Sequence, residues 1–435
     1  MKKFFVISFL GCILFSACQG GNLPADGSAF SAANGQNSGS FFTNLNGSSM
    51  QNGVASDALG NTPEDQLTRT GMLRAIYSQE QLKSPQYLMD QEMGGTQQVI
   101  SDAYRQAVLA GPAKDCLDKV GSKADDCFDA YVRERTKEDG VQAAFTDLKV
   151  LYDVSPTVQS YCHPLAHAIG HAAVDKYPTV AEAFEHGNSF CWSGYYHGVM
   201  EQIMENMGES FVSKIDTICA DIPGKAQYSF SYYNCVHGMG HGLMDVEGDD
   251  LFKSLKMCDK LTGAWEDQSC YSGVFMQNVI NDGLAFHSAN LKPDDTVYPC
   301  NAVDTPYKDQ CYLMQTSYML KINGYDFKKT FDICANVDKG FSVTCYRSLG
   351  RDASGSSVSD LQKTHDTCLL GNDYTQQSEC IVGAVKDFIS YYHGIDKANL
   401  LCQSLNDPKQ TQQALEGPRM VQYCLNTASN YYKSF

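Results

Sequence analysis

Strand signals are nearly absent from this chain of 435 residues: no alternating β-branched run bounded by tight turns recurs along it. Basic residues are in deficit, 33 Lys and Arg against 50 Asp and Glu, for a net charge of −17. Nucleic acid and anionic lipid surfaces both require a basic footprint, so neither is an expected partner. Catalytic signatures are missing as well. No CxxCH occurs, so a covalent c-type haem is not expected. HExxH and GxSxG are also absent, which removes the commonest zinc-protease and nucleophile-elbow chemistries. The glycines of "GMGHG" at 238–242 lack the preceding strand that a nucleotide-binding loop requires.

The chain opens with "MKKFFVISFLGCILFSAC", two lysines before an apolar stretch that is too short for a stable span. Residues 1–17 read as an export signal. Its end, Phe15-Ser16-Ala17-Cys18, resembles the lipobox of bacterial lipoproteins. That resemblance implies lipidation of Cys18. It also implies an outer-membrane destination, because Gln19 is not an aspartate. An ordinary secretory signal is the alternative, and both lead to an oxidising compartment. Residues 18–61 then form a Gly/Ser/Asn-rich tether without Lys or Arg after the cysteine, too polar to order itself. Folded structure is expected from Thr62, a candidate N-cap ahead of Pro63.

Sixteen cysteines remain after Cys12 and Cys18, an even number that argues for a disulfide framework. Cys116/Cys127, Cys258/Cys270, Cys300/Cys311, Cys334/Cys345 and Cys368/Cys380 share a separation of 11 or 12 positions. Cys219/Cys235 and Cys402/Cys424 are longer versions of the same unit. Cys162 and Cys191 are each expected to open a repeat's first helix and to pair with each other. Apolar-periodic runs precede the first cysteine and follow the second, often with glycine three positions on, as in "CWSGYYHGVM" and "CVHGMGHGLM". The period of 34 to 44 residues fits helix hairpins better than sheets. The expected fold is an all-α, disulfide-stapled solenoid of short helix hairpins, similar in architecture to Sel1-type and tetratricopeptide-type arrays. Residues 62–160 form its N-terminal helical region, 161–250 its histidine-rich repeats and 251–435 its C-terminal stapled repeats.

Seven of the ten histidines fall between positions 163 and 241. His163, His167 and His171 stand at steps of four, with Pro164 marking His163 as a cap or first-turn residue. His197 and Glu201 repeat that step, as do His237, His241 and Asp245. His197 and His241 are both sixth after a repeat's second cysteine, where Met276 stands one repeat later. Equivalent positions of a solenoid stack on one surface. His167, His171, His197, His237 and His241 are therefore candidate metal ligands for copper, zinc or iron, in one or two sites. Glu201 and Asp245 are candidate ligands, imidazole-orienting partners or general bases. Met200, Met244 and Met276 favour copper, and a non-covalent haem held by paired histidines is a further reading.

His186, His287, His365 and His393 are expected to be structural, whereas Tyr195 and Tyr196 beside the cluster are candidate proton donors or iron ligands, with core packing expected of at least one. The functional expectation is an envelope-anchored metalloprotein, a metal-dependent oxidoreductase or hydrolase. The alternatives are a non-enzymatic scaffold that binds a protein or peptide, with the histidines forming only a hydrogen-bonded network, and a metal storage or delivery protein.

Overall fold

The computed structural model describes residues 100–281, 288–357, 360–392, 394–406 and 416–433. The export signal, Cys18, the tether and the Thr62 cap lie outside these residues, as do His287 and His393. The described residues are helical and contain no strand beyond one isolated bridge, Lys292 to Asp295. None of their helices is long and apolar enough to cross a membrane.

The helices are α1 (Asp102–Ala110), α2 (Lys114–Leu117), α3 (Ser122–Asp139), α4 (Val141–Val154), α5 (Pro156–Val174) and α6 (Val180–Glu185). They continue with α7 (Gly194–Met207), α8 (Phe230–Val246), α9 (Leu251–Cys258), α10 (Ala264–Asn281), α11 (Thr305–Ile322) and α12 (Phe327–Ala335). The last are α13 (Ser342–Ser356), α14 (Leu361–Cys368), α15 (Tyr374–Tyr392), α16 (Asp396–Gln403) and α17 (Glu416–Lys433). From α5 onward the long helices form a row in which α5, α7, α8, α10, α11, α13, α15 and α17 each pack on the next.

Short helices sit between the long ones, and their starts are written in the sequence. Asp250, Asp326 and Asp360 cap α9, α12 and α14, each accepting the backbone N–H three residues on, that of Lys253, Lys329 and Lys363. An aspartate at this position satisfies one of the free amides of the first turn. The short helices end at or near a cysteine, which is bonded to the next long helix: Cys258 to Cys270, Cys334 to Cys345, Cys368 to Cys380 and Cys402 to Cys424. The other bonds join Cys116 to Cys127, Cys162 to Cys191, Cys219 to Cys235 and Cys300 to Cys311. Cys162 and Cys191 are partners, but neither opens a helix. Cys162 lies two turns inside α5, and Cys191 sits in the turn before α7.

Three of the glycines that stand three positions after a cysteine share one physical role along the row, while a Cβ on Gly238 would meet the Met200 side chain. A Cβ on Gly194 would meet the His163 carbonyl, on Gly273 that of His237, and on Gly383 that of Arg347. Neighbouring helices thus cross with backbone against backbone. Gly198 adds a crossing against the His167 carbonyl, and Gly240 against that of Cys270. A glycine inside a helix costs about 0.8–1 kcal/mol relative to alanine. Here that cost brings α5, α7, α8 and α10 close enough for their side chains to meet.

Candidate metal centre

Three adjacent helices bring five imidazoles together. Ring centroids of His163, His167, His197, His237 and His241 lie 4.6–5.3 Å from their neighbours, and the His197 ring stacks on that of His241. His241 is 0% exposed, His197 and His237 are 2%, and His167 is 8%. Among the described residues three donor triads occur, each with its candidate ligand atoms within 4.8 Å of one another: His163/His167/His197, His197/His237/His241 and His167/Glu201/His241. His197 belongs to two of them, at the middle of the cluster.

His163 corrects the sequence expectation. It is not a cap residue, because α5 starts at Pro156 with Ser155 as its N-cap, and His163 points into the cluster from the second turn. Pro164 removes one hydrogen bond to the carbonyl of Ser160, an exposed residue whose carbonyl water can serve.

The outer nitrogens decide the state of the rings. His163 Nδ1 lies 2.8 Å from the Cys191 carbonyl, which only accepts, so this nitrogen donates. His167 Nδ1 donates to both oxygens of Glu201 at 3.0 Å. His241 Nδ1 is 2.6 Å from Oε1 of Gln277, and the amide is oriented by its Nε2 donating to Asp245 Oδ1 at 3.3 Å. His237 Nδ1 has two hydroxyls within reach, Ser272 Oγ at 2.7 Å and Tyr233 Oη at 3.2 Å, each able to donate to it or accept from it. His163, His167 and His241 thus carry their proton on Nδ1, and a neutral imidazole has only one.

The Nε2 atoms of these three rings are then bare, and the Nε2 atoms of the cluster face one another in pairs. His163 and His167 Nε2 are 3.1 Å apart, and His237 and His241 Nε2 are 3.2 Å apart. Two lone pairs at this distance repel unless a cation lies between them. Nitrogens that share an ion about 2.0–2.1 Å from each are themselves about 2.9–3.4 Å apart at octahedral to tetrahedral angles. A buried extra proton is disfavoured. Burial first, and the neighbouring His167 next, push His163 down to about 3, and burial also pushes His167, His197 and His237 down. His197 adds an unsatisfied donor or acceptor, since its buried Nδ1 has no hydrogen-bond partner among the described residues.

Glu201 supplies the negative charge. Burial alone would push its carboxyl up, but His167, His171 and His241 outweigh that and hold it well below the usual range. His171, expected as a ligand, belongs to this support instead. Its Nδ1 accepts from Arg133 at 3.1 Å and its Nε2 donates to Glu201 at 2.6 Å, so neither nitrogen is available to an ion. Asp245 is likewise not among the donor triads: it is exposed and orients Gln277. Tyr195 donates to the Ala183 carbonyl at 2.8 Å and Tyr196 packs on Phe184, both in the core. His186 stacks on Tyr177, and His365 lies beside Asp366.

Sequence reading missed the acceptors Ser272 and Gln277, which come from the neighbouring α10, and Arg133, which comes from α3. The chain matches no known family model, no curated protein and no solved structure. The geometry of the histidines therefore carries the functional argument alone.

Proposed function

We propose that this chain is a transition-metal-binding protein whose ion or ions sit among His163, His167, His197, His237 and His241, with Glu201 as the balancing charge. The observation that carries the reading is the Nε2–Nε2 contact of His163 and His167 at 3.1 Å, between two rings whose Nδ1 protons are already committed. A purely structural histidine network would alternate donor and acceptor; here acceptor meets acceptor. Imidazole-rich donors suit copper, zinc and iron. A haem gains no support, because the rings pack directly on one another and leave no slot for a porphyrin.

Holding or delivering an ion fits better than metal-assisted hydrolysis. Both Glu201 oxygens are engaged by imidazoles, so this carboxylate is not free to take a proton from a bound water. We further propose a location in the cell envelope as a lipoprotein. The leader ending at Cys18 supports it, and so do the eight disulfides among the described residues, since such bonds persist in oxidising compartments.

Dialysis of the metal-stripped full chain against Zn(II), Cu(II) or Fe(II) tests the site. The expected result is uptake of at least one ion with a higher melting temperature, and loss of uptake in His197→Ala/His241→Ala with its helical circular dichroism kept. No uptake by the unaltered chain, or equal uptake by the variant, would leave the scaffold reading in its place.

A further inference from the structure

Met276 stands on α10, one helix beyond those that supply the histidines, at the sixth position after Cys270. His197 and His241 hold the same position after Cys191 and Cys235. Its Sδ lies 3.3 Å from His237 Nε2. A thioether has no proton to give and has lone pairs to offer, and the nitrogen it faces lies 3.2 Å from His241 Nε2, so Sδ stands where an ion shared by these two rings would find it. An ion about 2.0 Å from nitrogen and about 2.3 Å from sulfur holds those atoms about 3.3 Å apart when the angle is near 100°.

The other methionines named from the sequence do not share this placement. Met200 is fully buried, with its Sδ 3.7 Å from Cys235 Sγ and its Cγ under Gly238, where it fills the α7–α8 interface. Met244 is fully buried in the same core. Met276 is only partly buried, and its sulfur is directed at the cluster.

The two ends of the cluster therefore differ in chemistry. At one end His167 Nδ1 donates to both Glu201 oxygens. At the other, Met276 Sδ faces His237 Nε2, and Glu201 reaches only the outer Nδ1 of His241, at 3.5 Å, beside Gln277. Resting on the metal reading above, we infer that Met276 is a ligand of the His197/His237/His241 end and that this N,S donor set takes monovalent copper. Thioether and imidazole without a coordinating carboxylate favour Cu(I) over the harder divalent ions.

The test uses the full chain loaded with Cu(I) under ascorbate, which leaves the disulfides intact, and a colorimetric Cu(I) chelator as competitor. Copper-edge X-ray absorption of the unaltered protein is expected to show a sulfur neighbour at about 2.3 Å. Met276→Leu is expected to remove that neighbour and weaken Cu(I) binding at least tenfold, with Zn(II) affinity changed less than twofold. Met200→Leu is expected to leave both affinities unchanged. Copper bound through nitrogen alone in the unaltered protein overturns the assignment of Met276 while the metal site stands, as does full Cu(I) affinity in Met276→Leu. A chain that binds neither Cu(I) nor Zn(II) overturns both. If Met276→Leu does not fold, the absorption spectrum of the unaltered protein decides.

Discussion

His163 donates its Nδ1 proton to the carbonyl of Cys191, 2.8 Å away, so a disulfide-bonded turn fixes the direction of a ring that faces the cluster. The bond from Cys162 to Cys191 closes a separation of 29 residues and ties α5 to the turn that begins α7. An acceptor on the far nitrogen of a metal-facing histidine sets both its tautomer and its angle.

Replacing both Cys162 and Cys191 by serine is therefore expected to act twice. Stability should fall by about 3–4 kcal/mol from the lost loop closure, and metal affinity by about 10–100-fold through the misaligned His163. The double variant of Cys402 and Cys424 is the control, with a loss of stability in urea unfolding and unchanged metal affinity.

Helix crossings make a second prediction. A Cβ on Gly198 would meet the His167 carbonyl, so Gly198→Ala must push α7 away from α5. Overpacking of this kind costs about 1–3 kcal/mol. The expected outcome is that loss together with weaker metal binding, since His197 is the next residue. Gly383→Ala, at the α13–α15 crossing against the Arg347 carbonyl, is expected to lose similar stability and keep its metal.

Acid should unfold the metal-free protein earlier than an ordinary helical chain. His163 is pushed down to about 3 in the folded state, with burial the larger cause, whereas an unfolded histidine titrates near 6.5. The unfolded chain thus binds more protons than the folded one below pH 6.5. Stability is full above that value and is lost as pH falls from 6.5 toward 3. His167, His197 and His237 shift in the same direction and add to the slope. Glu201, held below its usual range, adds a loss of the same sign at lower pH. Melting temperatures of the stripped protein are expected to fall steadily between pH 6.5 and 4; a flat profile there would contradict the neutral, buried imidazoles.

Asp387 on α15 has the opposite sign. The residue is 8% exposed, and its Oδ2 has no hydrogen-bond partner among the described residues. Burial, set against a Ser354 hydrogen bond and the Arg351 charge, pushes its carboxyl up to about 6. A raised carboxyl contributes stability below the unfolded value and loses it as pH rises through 6. Asp387→Asn is expected to stabilise the protein by about 1–3 kcal/mol at pH 7.5 and to have little effect at pH 4, measured by denaturant unfolding at both values.

Spacing alone made parts of this centre legible. The step of four from His237 to His241 places both rings on one helix face, and the shared sixth position ties His197 to His241. The cysteine separations mark the units, because each short helix must return to the start of the next long one. Gly240, with no evident purpose in the sequence, is explained by the Cys270 carbonyl of a helix packed beside it. Pro164 obscured His163, since a proline more often starts a helix than interrupts one. His171 shares the spacing of a ligand but meets Arg133 and Glu201 instead. Long-range partners of that kind depend on which helices become neighbours, which local periodicity does not encode.

Elemental analysis of the full-length protein, isolated from the cell that makes it and without added chelator, tests the central claim most directly. The account predicts at least one equivalent of copper, zinc or iron per chain, and its loss in the correctly folded His197→Ala/His241→Ala variant isolated in the same way. A protein that carries no stoichiometric metal and takes none up afterwards would contradict it.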